Sequence, residues 1–345
     1  MLNNAVFDNV TGKYNRYFTN ETIKLSDKIK SIYDSNHAYI FSSGISATST
    51  AIDVVINNSN NSNTCIIYPS DSYYENIEII RHKKYMYGID AYEFNILDIN
   101  QLYELLKRPG HKILVLESCL NPYGYVFDFS KFCEIKRYNT TIIVDNTWLS
   151  GYIFNPLYCG ADIVTESMTK FYAANSEIAG CCSFNNNNYN KLFDENIRYT
   201  GIHISPNVIK LINEKINDTE LRLYKISNNA IKTINYLLYC NITCVHPYFI
   251  NHVSYLNSCK YFNKNYFIGT FLIGFTDSKD KINDMLEKIK ILEVKSSFGY
   301  NKTIINKHIY TIKNSNLNFI RFSVGHDDDI DRIIMGINEI MNILK

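Results

Sequence analysis

The feature that most constrains the fold of this chain is a series of short apolar segments, separated by segments with helical spacing. The apolar segments fall at 65–69, 112–118, 140–146 and 161–167. Strands that are apolar throughout are buried on both faces, which is typical of parallel sheets covered by helices. The intervening sequences INQLYELLKR and FSKFCEIKRY have the spacing of amphipathic helices. We therefore expect an α/β fold with a mostly parallel central sheet and helices on both faces.

The pattern changes near residue 206, which predicts a second, smaller domain. A helical stretch at 208–239 leads to YFIGTFLIGF, which alternates like an antiparallel strand. A helical segment, the strand-like NFIRFSVG and a last helix follow. At 345 residues the chain is long enough for one large and one smaller core. We expect three regions: an N-terminal arm and helix at 1–40, a large domain at 41–215, and a smaller α+β domain at 216–345.

Composition argues against several classes of partner. The 35 basic and 34 acidic residues give a net charge of +1, so nothing in the charge favours nucleic acid or an anionic membrane. No apolar run approaches the length of a membrane-spanning helix, and the first residues lack the layout of a signal peptide. The nine cysteines include no paired CxxC motifs, so no metal site is expected. These observations predict a cytoplasmic protein without nucleic-acid or membrane partners.

Polar residues follow the predicted strands, where the sites of parallel sheets gather. They are Tyr73, Asn121, Asp145 and Lys170. Taken singly, each has an ordinary explanation, such as a solvated strand end for Lys170 or a cap for Asp145. Together, an aromatic ring, an amide, a carboxylate and an amine are an unusual set for a metal site.

The same region offers groups that suit a phosphate. The turn SSGIS stands at a predicted helix start, where free backbone N–H groups can hold a phosphate. Ser167 and Thr169 place two hydroxyls shortly before Lys170 in sequence. Pyridoxal 5′-phosphate (PLP) needs a lysine for its aldehyde and a carboxylate against its pyridinium nitrogen. The set at the strand ends therefore predicts a PLP site in the large domain.

Five motifs then carry a specific resemblance. They are YNRY at 14–17, SSGIS at 42–46, LESCLNPYGYVFD at 116–128, IIVDNTWLSGYIFNPLYCGADIVTESMTKF at 142–171, and RFSVGHDDDIDRII at 321–334. In this order they resemble the motifs of the Cys/Met-metabolism family of fold-type I PLP enzymes. Its members include cystathionine γ-synthase, cystathionine γ-lyase, cystathionine β-lyase, methionine γ-lyase and O-acylhomoserine sulfhydrylases.

The resemblance implies a role for each cofactor residue. Lys170 would hold the cofactor and move protons at the substrate Cα, and Asp145 would pair with the pyridine nitrogen. Tyr73 would stack on the ring and act as acid or base toward the leaving group, while Asn121 would bond the ring hydroxyl. The phosphate would be held by two amides and two hydroxyls, those of Gly44, Ile45, Ser167 and Thr169.

Other positions concern the substrate and the neighbouring subunit. Arg321 would grip the substrate α-carboxylate as a bidentate fork, assisted by Ser297. Tyr14 and Arg16 would reach the phosphate of a neighbouring subunit, which implies a homodimer with shared active sites. The resemblance also implies a homotetramer, the usual assembly of this family.

The chain departs from the family pattern at positions that we interpret as substrate-specificity residues. Glu75 stands in SYYEN, where the family has a glycine-containing motif and its members differ. Lys302 in SFGYNKT replaces a glutamate linked to recognition of the distal amino group of cystathionine. The reversed charge puts ordinary cystathionine recognition in doubt. The alternative interpretation is drift at a solvated rim.

The expected function is that of a PLP-dependent lyase or transferase of sulfur amino-acid metabolism. Such an enzyme eliminates or replaces the γ or β substituent of an amino acid such as cystathionine, methionine or an O-acylhomoserine. The family majority favours γ chemistry, with a cystathionine β-lyase-type enzyme as one alternative. An aminotransferase on the same fold and a non-catalytic homologue are two further alternatives.

Overall fold

The computed structural model describes residues 19–59 and 63–345 and confirms the expected α/β class. The chain divides into two compact units. The first contains the described residues up to Asn121 together with Tyr125–Asn217, and the second contains Pro122–Gly124 and Asp218–Lys345. The division after Asn217 lies near the boundary expected at 215/216. The transfer of Pro122–Gly124 to the second unit was not expected from the sequence.

The described part of the first unit contains a seven-stranded sheet. Its strands are β1 (His37–Phe41), β2 (Thr64–Pro69), β3 (Asp90–Phe94), β4 (His111–Glu117), β5 (Thr140–Asp145), β6 (Ile163–Ser167) and β7 (Gly180–Phe184). Their order is β1-β7-β6-β5-β4-β2-β3. The pairs from β3 to β6 are parallel, whereas β7 is antiparallel to both of its neighbours. The sheet is therefore mostly parallel, as predicted.

Helices surround this sheet. They are α1 (Asn20–Tyr33), α2 (Gly44–Asn58), α3 (Tyr74–Tyr87), α4 (Ile99–Leu106), α5 (Phe132–Lys136), α6 (Ser150–Ile153), α7 (Asn190–Thr200) and α8 (Pro206–Lys215). Short 3₁₀ turns lie at Phe129–Lys131, Pro156–Cys159, Asn187–Tyr189 and Ile216–Asp218. The buried face of α2, including Ala47 and Ala51, packs with Ile143 and Ile163 of the sheet in one core. This packing holds the start of α2 close to the end of β6.

The second unit is a smaller α+β structure. Its strands are β8 (Thr243–Val245), β9 (Thr270–Phe275), β10 (Glu293–Val294), β11 (Ile304–Thr311) and β12 (Asn318–Ser323). They form a sheet of order β10-β11-β12-β9-β8 that is antiparallel except for β10 and β11. Its helices are α9 (Thr219–Tyr239), α10 (Tyr255–Tyr261), α11 (Lys279–Lys288) and α12 (Ile330–Leu344). Residues of α9, α11 and α12 bury their apolar faces against the sheet in one core.

Two local expectations need correction. The single helical stretch expected at 208–239 is two helices, because α8 ends at Lys215 and a 3₁₀ turn precedes α9. The boundary expected at residue 40 falls inside β1, which runs from His37 to Phe41. No helix among the described residues is long and apolar enough to cross a bilayer.

Candidate active site

Asp145 is the last residue of β5, and two hydrogen bonds orient its carboxylate. It lies opposite Glu117 of β4 and Thr165 of β6 in the strand registers. Its Oδ1 accepts a 3.0 Å hydrogen bond from the backbone N–H of Thr147, and its Oδ2 accepts a 3.0 Å bond from the side-chain amide of Asn76. These bonds to the two carboxylate oxygens orient a half-buried negative charge at the end of the sheet.

Glu117, the last residue of β4, is a second carboxyl beside Asp145. It is 7% exposed, and it accepts hydrogen bonds from the backbone N–H groups of Tyr73 and Asn121. Burial, and then the charge of Asp145, raise the pKa of Glu117 to about 8. Two of the predicted cofactor residues, Tyr73 and Asn121, are thus attached by their main chains to one buried carboxyl. The side chain of Tyr73 itself is 42% exposed.

The start of α2 lies directly against the end of β6. A Cβ added to Gly44 would come within 2.6 Å of the Cβ of Ser167, so glycine is what permits this approach. Ser43 caps the helix through the N–H of Ser46, and the first backbone bond runs from Ala47 to Ser43. The amides of Gly44 and Ile45 precede that first bond, as expected for a phosphate-binding helix start. Ser167, Gly44 and Ile45 are therefore brought together.

Thr147 connects this phosphate-binding corner to Asp145. Its hydroxyl accepts a 2.8 Å hydrogen bond from the N–H of Ser167, while its own N–H donates to Asp145. One residue therefore couples the end of β5 to the end of β6.

Lys170 does not end the strand but lies in a tight turn after it. The N–H of Lys170 approaches the carbonyl of Ser167 at 3.5 Å, and the N–H of Asn175 donates to the carbonyl of Thr169 at 2.8 Å. The Thr169 hydroxyl accepts from Ala179 N–H at 3.1 Å and donates to Ala179 C=O at 3.3 Å. Thr169 thus braces the turn that carries Lys170, a contact that sequence reasoning did not anticipate.

A buried acid supports this turn from the other face of the sheet. Glu166 is 1% exposed and accepts hydrogen bonds from the hydroxyls of Tyr33 and Tyr172, the latter at 3.0 Å. Burial raises the pKa of Glu166 well above its ordinary range. Because Tyr172 follows Lys170 by two residues, this acid attaches the lysine turn to α1.

The two substrate residues predicted in the second unit are in contact. Arg321 of β12 is 4% exposed, and its Nη2 donates a 2.8 Å hydrogen bond to the carbonyl of Ser297. Ser297 has φ of 85°, a left-handed conformation that is strained for a residue with a side chain. A buried guanidinium therefore stabilises a strained turn, an arrangement that is frequent at binding sites.

The two predicted specificity residues differ in their surroundings. Glu75 is exposed in the first turn of α3. Lys302 lies in the second unit, where its Nζ donates to the carbonyl of Asp327 at 3.2 Å and lies 3.6 Å from Oδ1 of the buried Asp328. The ammonium of Lys302 thus has partners within its own unit. Tyr14 and Arg16 lie outside the described residues.

Sequence reasoning missed three residues that hold the predicted ones: Asn76, Glu117 and Thr147. A signal was present for Glu117, since a carboxyl that ends an apolar strand has the same pattern as Asp145. Asn76 and Thr147 gave no such signal, because polar residues near turns are common.

The geometry of the first unit fits PLP. The start of α2, where the amides of Gly44 and Ile45 precede the first helical hydrogen bond, lies against Ser167, which suits a phosphate. A carboxylate oriented on both oxygens suits a pyridinium nitrogen, and a lysine stands in the adjoining turn. No group of three acidic, histidine or cysteine side chains in the described residues is arranged to hold a metal.

Comparison with known proteins supports the same conclusion. The sequence profile of the family described as "Cys/Met metabolism PLP-dependent enzyme" matches residues 5–345. A cystathionine beta-lyase of Schizosaccharomyces pombe is 24% identical over 312 residues, which cover 88% of this chain and 77% of the relative. The family match alone covers nearly the whole chain.

Solved structures share the fold. The cystathionine gamma-lyase from yeast superposes with a TM-score of 0.87 at 20% identity, covering 99% of this chain and 92% of that one. The crystal structure of a Campylobacter jejuni protein contains N′-pyridoxyl-lysine-5′-monophosphate. It superposes with a TM-score of 0.81 at 20% identity, covering 96% of this chain and 87% of that one. At such identities these likenesses establish the fold-type I architecture, and the profile match establishes the family. The chain belongs to the Cys/Met metabolism family of PLP-dependent enzymes, and PLP is its cofactor.

Proposed function

We propose that the protein is a lyase or transferase that eliminates or replaces the γ or β substituent of a sulfur-containing or activated amino acid. The observation that carries the proposal is the meeting of Asp145, Ser167 and the start of α2 at the ends of β5 and β6. The relatives named above include a β-lyase and a γ-lyase, which supports both positions of attack. We expect γ chemistry, in line with the family majority.

The residues of the first unit have distinct tasks toward the cofactor. When bound, PLP supplies an electron sink for negative charge that develops at the substrate Cα. The amides of Gly44 and Ile45 and the hydroxyls of Ser167 and Thr169 would hold its phosphate, and Asn121 its ring hydroxyl. Asp145 would keep the pyridine nitrogen protonated by offering it a fixed negative charge. Thr169 supports this arrangement by bracing the lysine turn.

Lys170 and Tyr73 would carry the proton transfers. Lys170 would hold the cofactor at rest and, once displaced by the substrate amine, remove the proton from Cα. A lysine in a tight turn suits both tasks, because its flexible side chain can reach both the cofactor and the substrate Cα. Tyr73 would stack on the ring and give a proton to the departing group. Its half-exposed side chain is compatible with contact to both ring and substrate.

Substrate recognition would involve the second unit. Arg321 would bind the α-carboxylate with its planar guanidinium, and Ser297 would assist from the strained turn that Arg321 supports. Glu75 and Lys302 are our proposed specificity residues. Glu75 offers an exposed charge two residues after Tyr73, and Lys302 would act on specificity through the Asp327–Asp328 turn.

We also propose a cytoplasmic homo-oligomer. Tyr14 and Arg16 would reach the phosphate in a neighbouring subunit, which gives a dimer with shared sites and, by family habit, a tetramer. Mixing a Lys170→Ala protomer with an Arg16→Ala protomer tests the sharing. Recovered activity in the mixture supports shared sites, and persistent inactivity contradicts them.

A substrate panel tests the proposed activity. The purified enzyme is offered cystathionine, methionine, homocysteine, cysteine and O-acylhomoserines with a thiol, and the 2-oxo acid products are identified. Mainly 2-oxobutyrate means γ chemistry, as expected, whereas pyruvate from cystathionine means a β-lyase. Release of pyridoxamine phosphate without ammonia would instead indicate an aminotransferase and contradict the proposal.

A further inference from the structure

The inference concerns Glu117, a buried acid for which the proposed reaction has no task. Its carboxyl lies between the main chain of Tyr73 and the side chain of Asp145. Its exposure of 7% is unusual for a glutamate, because a buried carboxyl needs compensating partners. Here the partners are the backbone N–H groups of Tyr73 and Asn121 and the side-chain amide of Asn76.

These partners link Glu117 to both predicted ring contacts. Tyr73 precedes α3 without a side-chain cap, so the bond from its N–H to Glu117 anchors the entrance to that helix. Asn121 follows β4 by four residues and folds back to donate its N–H to the same carboxyl. Asn76, one turn into α3, bridges to Asp145 over 3.0 Å. Moving the Glu117 carboxyl would therefore move these residues together.

The position of the Tyr73 ring depends on the hydrogen bond from the Tyr73 N–H to Glu117 more than the position of a buried ring would. Its side chain is 42% exposed, so surrounding packing restrains the ring less than it restrains a core residue. We propose that Glu117 is a positioning residue that sets the Tyr73 ring on the bound cofactor by holding the Tyr73 main chain beside Asp145. This inference rests on the proposed function, since it assumes that Tyr73 stacks on PLP.

The chemistry of the acid agrees with such a role. Burial and the neighbouring Asp145 raise the pKa of Glu117 to about 8, so near neutral pH the group is mostly protonated. A neutral acid adds no second negative charge beside Asp145. An amide of the same length offers the same acceptor oxygen, which makes glutamine the conservative replacement.

The test compares three variants by their affinity for PLP and by the visible circular dichroism of the bound cofactor. Glu117→Ala is expected to weaken PLP binding by roughly tenfold and to change the dichroism band, because the anchor is lost. Glu117→Asp is expected to show a similar loss of affinity and change in dichroism, because its side chain is one methylene shorter and its carboxyl lies farther from the Tyr73 N–H. Glu117→Gln keeps the reach and is expected to restore the affinity to within about threefold of the wild type. Glu104→Ala, which removes an exposed glutamate of the same unit, is the matched control.

A double-mutant cycle asks whether Glu117 acts through Tyr73. In a Tyr73→Ala background, the effect of Glu117→Ala on PLP affinity is expected to shrink to about threefold or less. Additive effects would overturn the proposal, as would equal affinities and unchanged dichroism in all three Glu117 variants. If Glu117→Ala fails to fold, the PLP affinities of the other two variants decide the question. An affinity of Glu117→Asp equal to that of Glu117→Gln would contradict the proposal, because the shorter side chain should not hold Tyr73 in place. Wild-type protein that takes up no PLP would instead refute the proposed function.

Discussion

The side-chain amide of Asn76 donates a 3.0 Å hydrogen bond to Oδ2 of Asp145, across the junction between α3 and β5. Asn76 is 2% exposed, so water does not readily replace this bond when it is lost. The relationship matters because a carboxylate stabilises a pyridinium nitrogen only when it points at it. Helix α3, which follows β2, thus orients the carboxylate of Asp145 at the end of β5.

Removing the side-chain amide of Asn76 should weaken the binding of PLP. We expect Asn76→Ala to lower PLP affinity by roughly ten- to a hundredfold, since a hydrogen bond to a charged acceptor contributes about 1.5–3 kcal/mol. Fluorescence titration of the cofactor-free protein with PLP measures this. Asn188→Ala, at an exposed asparagine of the same unit, serves as control. Equal affinities for both variants would mean that Asn76 does not orient Asp145.

Gly44 is expected to tolerate no side chain. A Cβ there would lie 2.6 Å from the Cβ of Ser167 and 2.8 Å from its Cα, so Gly44→Ala must push α2 away from β6. Overpacking of this kind costs about 1–3 kcal/mol, and here it also displaces the phosphate-binding amides. We predict a lower melting temperature and a PLP affinity reduced by tenfold or more.

A second glycine variant separates these two effects. Gly201 has φ of 70° with nothing near its would-be Cβ, so Gly201→Ala strains the backbone without closing a contact. It is expected to lower stability but to leave PLP affinity unchanged. A parallel loss of affinity in Gly201→Ala would show that the Gly44 effect is only general destabilisation.

The raised pKa of Glu117 predicts a pH dependence of stability. Folding raises this pKa from its ordinary value of 4.5 to about 8, so within that window the native state keeps a proton that the unfolded chain has released. The stabilisation is complete below the ordinary pKa and is lost as the pH rises to about 8. The free energy of unfolding should fall by up to ~1.4 kcal/mol per pH unit across this window.

Urea unfolding of the cofactor-free protein at a series of pH values measures this dependence. Because Glu117→Gln cannot titrate, the difference in unfolding free energy between wild type and this variant isolates the contribution of one residue. We expect that difference to change with pH below about 8 and to level off above it. Parallel curves for the two proteins would contradict the assigned protonation state.

Lys302→Glu tests the reversed charge in the second unit. The change places a carboxylate against the buried Asp328, whose other partners include Arg332 and the N–H groups of Thr303 and Asp329. We predict a loss of stability of about 1 kcal/mol together with a gain of cystathionine turnover, because the glutamate restores the charge linked to recognition of the distal amino group. Thermal unfolding and turnover are compared with Lys307→Glu, an exposed lysine of the same strand region. No gain of cystathionine turnover would contradict the assignment of Lys302 as a specificity residue.

The strands that could be predicted from sequence were the ones buried on both faces. The apolar runs of β2, β4, β5 and β6 are distinctive because Ile, Val and Leu occupy successive positions. Strand β3 was missed because DAYEF, at the edge of the sheet, has two exposed acidic residues. Strand β7 was missed because GCCSF consists mostly of small residues without a strong strand preference.

The cofactor residues were predictable because motifs and strand ends coincide at Asp145 and Lys170. The residues that hold them were not, since their role depends on pairs of residues far apart in sequence. Asn76 and Asp145 are separated by 69 positions, and Thr147 and Ser167 by 20. Sequence periodicity reports the burial of single positions and contains no information about such pairs.

The most direct test of the account is to identify the lysine that holds PLP. The wild-type enzyme is loaded with PLP and reduced with borohydride, which makes the carbon–nitrogen linkage permanent, and its peptides are then mapped by mass spectrometry. We predict one pyridoxyl-phosphate group, on Lys170, and its loss in Lys170→Ala. Absence of the modification from wild type, or its appearance on another lysine, would contradict the account.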